Sequence, residues 1–236
     1  MDRTAGKESG YHATQSGDIL IIAMLCAACI VLFASKASAQ CTARDVLQNR
    51  LTLKAAKTPP VLVRSAFAAP VWKTITIGTF ANSFALLNAL DAAGCGIGGL
   101  AGEILARPAF TVSTTRTNVE LFAVSAAELG FQTDTAPLAD IYARAQQLGF
   151  GLAAAEVAPQ LRLQYFDQPM GEFVIGMEPI KTWTGEPVIL TVANGGAGLI
   201  LIGRDGRADA EIPVASRFLF VRSNEAALAK AVHGSQ

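Results

Sequence analysis

The side chains that most often carry chemistry are scarce in this chain and badly placed for it. Its two histidines, His12 and His233, lie close to the two ends. The long stretch between them offers no imidazole for a Ser-His-Asp or Cys-His relay, and none for the usual zinc ligand sets. Cys26 and Cys29 sit three apart inside an apolar run, where they read as apolar filler. Cys41 and Cys95 remain, and two thiolates cannot complete a tetrahedral metal site. Gly94-Cys95-Gly96-Ile97-Gly98-Gly99 matches G-x-G-x-x-G, but that fingerprint needs a strand before it and a helix after it. Here a helical pattern comes first, and Gly94 is its cap. There is no Walker A sequence and no G-x-S-x-G. No cofactor and no metal is expected.

Carboxylates and one polar stretch are left. Asp167, Glu172 and Glu178 fall close together in the sequence. Paired carboxylates hydrolyse glycosides when their environments separate their pKa values. Arg162, Gln164, Tyr165, Asp167 and Gln168 make the densest polar stretch of the domain. If residues 160–165 form a strand, Gln160, Arg162 and Gln164 share one face, suited to a partner or a sugar. The same pattern describes the solvated face of an antiparallel sheet.

The elements that must position these groups follow from hydrophobic periodicity. Val71–Thr79 alternates at period 2 and reads as a strand. Phe84, Leu87 and Leu90, with Leu86, place a helix over Ala81–Ala93, and a weaker helix covers Ile97–Ala106. Strands are expected at Phe110–Thr114 and Val119–Ser125. Ser125 and Glu128 have capping-box spacing. Leu138, Ile141, Ala145 and Leu148 define a helix from Pro137 to Leu148, which Thr135 can cap. Then come a hairpin of Leu161–Tyr165 with Glu172–Glu178, and a second hairpin, Val188–Ala193 with Leu199–Ile202, around Asn194-Gly195-Gly196. Arg217–Arg222 closes the series. The expected fold class is α+β: an antiparallel, meander-type sheet with two or three helices packed on one face.

The segments outside that domain speak to location. Ile19–Ala34 is an uncharged apolar run, followed by the A-x-A site Ala37-Ser38-Ala39. Residues 1–39 therefore read as a signal peptide, with an N-terminal anchor as the rival, since the run is long for a signal and short for a span. Both place the domain outside the cytoplasm: periplasmic, secreted, or membrane-anchored facing outward. Membrane contact is expected only through residues 19–34, if they are retained. Residues 40–70, with Pro59-Pro60, read as a stalk or linker, residues 71–222 as the domain, and residues 223–236 as a tail. In an oxidising compartment Cys41 and Cys95 can pair as a disulfide; Cys41 can alternatively carry a lipid.

Lys plus Arg and Asp plus Glu each number 19, so the formal net charge is zero. A neutral chain gives no electrostatic ground for binding nucleic acid. An ordered set of short segments, among them Trp72-Lys73-Thr74-Ile75, Arg107-Pro108-Ala109-Phe110, Ile141-Tyr142-Ala143-Arg144-Ala145, Asp167-Gln168-Pro169 and Arg217-Phe218-Leu219-Phe220-Val221-Arg222, resembles an uncharacterised family of small bacterial domains over residues 72–222. The resemblance implies a domain boundary near Trp72 and assigns no activity. The expected function is a non-catalytic extracytoplasmic interaction domain for an envelope protein or glycan, with Arg162, Gln164, Tyr165, Asp167 and Glu178 as binding residues. The alternative is a hydrolase of cell-wall or extracellular glycan using Glu178 with Asp167 or Glu172.

Overall fold

The computed structural model describes residues 60–196 and 198–223. The export segment, Cys41, the expected helix over 43–57 and the tail from 224 onward lie outside the described residues.

In chain order the elements are β1 (Lys73–Ile77), α1 (Ser83–Ala92), β2 (Gly96–Ile97), α2 (Gly99–Leu105), β3 (Thr117–Ser125), β4 (Thr135–Pro137), α3 (Leu138–Gln147) and β5 (Phe150–Gly151). They continue with α4 (Val157–Gln164), β6 (Gly171–Ile175), β7 (Ile180–Lys181), β8 (Pro187–Asn194), β9 (Leu199–Asp205), β10 (Glu211–Pro213) and β11 (Arg217–Arg222). Local signals set the ends of α1 and the turn after β3. Asn82 Oδ1 accepts from Ala85 N at 2.9 Å to start α1, and Gly94 ends it at φ +70°. Leu86 and Leu90 point α1 inward, while Phe84 stays exposed. The Ser125–Glu128 box closes: Glu128 Oε2 accepts from Ser125 N at 2.7 Å, and Glu128 N donates to Ser125 Oγ at 3.2 Å.

The sheet departs from the expected antiparallel meander. Nine strands form one mixed sheet, curled into a half-barrel, in the order β1-β3-β11-β6-β8-β9-β2, with β5 beside β11 and β7 beside β8. β6 runs parallel to β11, and β2 parallel to β9. β4 and β10 form a separate pair. The cause is β11, which returns from the end of the domain to lie between β3 and β6. Period-2 patterning marks a strand but not its neighbours.

The helices also depart from expectation: four are present among the described residues, and they cover both faces of the sheet. Tyr142 of α3 meets Phe218 and Phe220 at ring-centroid distances of 6.2 and 6.1 Å. Tyr165, at the end of α4, meets Phe173, which pairs with Arg217 rather than with Phe218. Successive strand residues point to opposite faces, so α3 and α4 pack on opposite sides. On the α3 side, Phe122, Phe150, Phe218 and Phe220 form a fully buried aromatic cluster. Each such side chain contributes roughly 1.5–3 kcal/mol on burial. On the other side, α2 lies directly on β9. A Cβ at Gly203 would stand 2.6 Å from Leu100 Cβ, so only glycine permits that approach.

Phe110–Thr114 is not a strand but irregular chain. Residues 63–66 lie against the domain. Val63 N donates to Glu128 O at 2.9 Å, Ala66 N to Leu148 O at 2.7 Å, and Ala66 is buried. Among the described residues, no helix is long and apolar enough to cross a membrane.

Candidate functional site

The residues expected to form a binding strand form helix α4 instead. The late hairpin of Leu161–Tyr165 with Glu172–Glu178 is therefore absent, and Gln160, Arg162 and Gln164 do not share a face. In a helix, positions four apart align, so Glu156, Gln160 and Gln164 make one row and Arg162 points away from it. That row fastens onto the outer edge of β1. Gln164 Oε1 accepts from Thr76 N at 2.9 Å, and its Nε2 donates to Thr76 O at 2.8 Å, as a neighbouring strand would. Glu156, 1% exposed, accepts from Gly78 N at 2.8 Å, Ser113 N at 2.7 Å and Gln160 Nε2 at 3.0 Å. Gln160 also exchanges hydrogen bonds with the Thr79 hydroxyl. An open strand edge invites pairing with other chains; here Gln164 pairs with the edge at Thr76, while Gln160 and Glu156 hold the residues just past the end of β1.

Arg162 is 0% exposed. It donates to Gln168 Oε1 at 2.6 Å, to Ala193 O at 3.3 Å and to Tyr165 O. Gln168 Nε2 reaches Gly171 O at 3.0 Å and Val192 O at 3.3 Å, and Asn194 Nδ2 donates to Gln168 O at 2.7 Å. Together these bonds shape the turn over residues 165–171. No carboxylate is within ion-pair distance of Arg162 among the described residues, and its Nε has no partner. Burial pulls the guanidinium down to about 10, against a smaller opposing influence of Tyr165. Arg162 thus organises a turn from inside and presents nothing to solvent.

Tyr165 is half-buried between Trp72, at 5.3 Å, and Phe173, with Lys73 Nζ 4.5 Å from its ring centre. Burial, then the charge of Asp167, pushes its hydroxyl above the ordinary tyrosine value. Tyr142 is raised further, first by burial and then by Glu178. Asp167 therefore acts on a tyrosine on one face of the sheet and Glu178 on a tyrosine on the other. Glu172 is held at 2.6 Å by Arg204. The clefts beside Leu100, Val61, Pro60 and Thr74 are lined by none of these carboxylates. Cys95 is buried and disulfide-bonded; Cys41 lies outside the described residues. Among the described residues, no three His, Cys, Asp or Glu side chains are grouped to hold a metal ion.

A different surface stands out, built by the β7–β8 turn, α2 and the residues just after α2. The turn is Thr182-Trp183-Thr184-Gly185, with Trp183 70% exposed. The turn is internally braced: Thr182 N donates to Glu186 O at 2.9 Å, and Glu186 N to Thr182 Oγ1 at 3.0 Å. Glu103 of α2 accepts from Trp183 N at 2.6 Å. The Arg107 guanidinium lies 3.9 Å from the ring centre of Trp183. An adjoining cleft of about 320 Å³ is lined by Leu100, Glu186, Pro187, Val188, Asp205 and Arg207. Asp205 accepts from Arg207 N and is paired with its guanidinium at 3.0 Å. The sequence reading missed this surface. Its one signal is a tryptophan inside a Thr- and Gly-containing turn, where polar residues are the rule.

No protein-family model matches the chain, and neither a curated protein nor a solved structure is significantly similar to it.

Proposed function

We propose that this is an extracytoplasmic, non-catalytic binding domain that recognises its partner through the surface around Trp183. One observation carries the reading: a tryptophan exposed to 70% is nonetheless held in place, by Glu103 at its backbone and by Arg107 on its ring. Tryptophan and arginine are the side chains that most often dominate binding energy. Ordering them in the free protein removes part of the entropy cost of binding. The extracytoplasmic part of the reading is supported by the apolar run and A-x-A site of residues 19–39, and by the disulfide at Cys95, a bond typical of oxidising compartments.

The test uses the protein's two tryptophans. In a Trp72→Phe variant all tryptophan emission comes from Trp183. Acrylamide should quench it strongly, and adding envelope or culture fractions of the host should protect it. Emission already shielded in the free protein, or unprotected by every fraction, would count against the reading.

A further inference from the structure

Resting on that reading, we infer that the ligand of the Trp183 surface is an oligosaccharide without acidic groups, lying along α2 from the tryptophan to the cleft. Three features point to this class. Arg107 covers one side of the Trp183 ring, which leaves the other broadside to solvent as a flat apolar platform. A sugar ring offers a matching flat face of C–H groups, whereas a protein partner typically encloses an aromatic anchor in a pocket.

The cleft supplies the second feature. Its apolar wall is Leu100, Pro187 and Val188, and its rim carries Glu186, Asp205 and Arg207. Carboxylates beside a guanidinium present acceptors and donors side by side, which is what vicinal hydroxyls require. Its volume of about 320 Å³ falls in the range of small-ligand sites. With two carboxylates against one guanidinium, the rim repels phosphate or sulfate and so disfavours nucleic acid and acidic glycans.

The third feature is spacing. Glu186 ends the turn that carries Trp183, and Glu103 ties that turn to α2. Leu100 lies in the cleft, and Arg107 lies under the ring. Leu100 stands near the start of α2 and Arg107 just past its end, so the 7-residue helix, about 10 Å long at 1.5 Å per residue, lies between them. Platform and cleft are thus separate contacts for one extended ligand, more than a single sugar ring covers.

The experiment titrates full-length Trp72→Phe protein with cellopentaose and with chitopentaose, following Trp183 emission and calorimetry. The expected result is saturable binding of at least one of them, with a Kd below about 1 mM. Trp183→Ala, followed by calorimetry, and Asp205→Asn should each weaken it about tenfold or more, and glucose or N-acetylglucosamine alone should bind at least tenfold more weakly. No saturation by either oligosaccharide up to roughly 10 mM overturns the inference. So does binding that Trp183→Ala leaves unchanged. If the sugars fail while envelope fractions still protect Trp183 from quenching, the saccharide is wrong and the binding surface stands. If both fail, the surface itself is wrong.

Discussion

Removing the buried carboxylate of Glu156 should unfasten two loops at once. Glu156 accepts from Gly78 N at 2.8 Å, from Ser113 N at 2.7 Å and from Gln160 Nε2, and it is 1% exposed. Hydrogen bonds to a charged group are worth about 1.5–3 kcal/mol each. Glu156→Ala strands two backbone N–H groups and should cost about 3–6 kcal/mol, a large share of a typical domain's 5–15 kcal/mol. Glu156→Gln keeps one acceptor oxygen but turns an amide N–H₂ toward the second backbone N–H, so about half that loss is expected. Urea denaturation gives both values, with an unchanged slope if the unfolded state is unaffected. Hydrogen exchange adds a local readout, since the amides of Gly78 and Ser113 should lose protection before their neighbours. Glu178→Gln, at an exposed position, should stay within about 0.5 kcal/mol of the parent. The reasoning fails if Glu156→Gln is equally close to the parent, or if the two amides exchange as before.

Three further outcomes follow from the same contacts. A Cβ at Gly176 would meet Phe220 Cε1 at 2.4 Å inside the aromatic cluster, so Gly176→Ala should cost about 1–3 kcal/mol in urea denaturation, and Phe220→Leu should recover part of it. Arg162→Met relieves a desolvated cation but strips donors from Tyr165 O, Gln168 Oε1 and Ala193 O; the net should be a loss of about 2–4 kcal/mol, with new proteolytic cleavage in residues 165–171, and a variant as stable as the parent would contradict the clamp. Tyr142 and Tyr165 both have hydroxyls raised above 10.0, so their contribution is whole below pH 10 and fades as pH climbs through the folded values. Absorbance at the tyrosinate band should therefore lag free tyrosine for both residues, and the parent should lose more stability above pH 10 than Tyr142→Phe does.

What was legible in the sequence is what neighbours along the chain decide. Arg217–Arg222 is a strand with the expected bounds, and Leu138, Ile141 and Ala145 turn α3 inward. The Asn194-Gly195-Gly196 turn joins β8 to β9 as its chemistry demands. α4 reads as a strand from its polar residues because Gln160, Arg162 and Gln164 alternate, while only Gln160 and Gln164 have the spacing of one helix face. The preceding Glu156 extends that row at intervals of four and favours the helix. The position of β11 beside β6 was not legible at all, since no local pattern encodes a partner some forty residues away. Trp183 was passed over for a related reason. Its neighbours are Glu103 of α2 and Arg107 just after that helix, and nothing near Trp183 in the chain shows that its ring is held.

The most direct test of the account is retention of immobilised protein on envelope and culture fractions, comparing the parent with Trp183→Ala and with Lys73→Ala, which alters the polar surface near Tyr165 instead. The account predicts a ligand retained by the parent and by Lys73→Ala and lost with Trp183→Ala. A ligand that Trp183→Ala retains in full, and that Lys73→Ala loses, would move recognition to the far end of α4 and contradict the central claim.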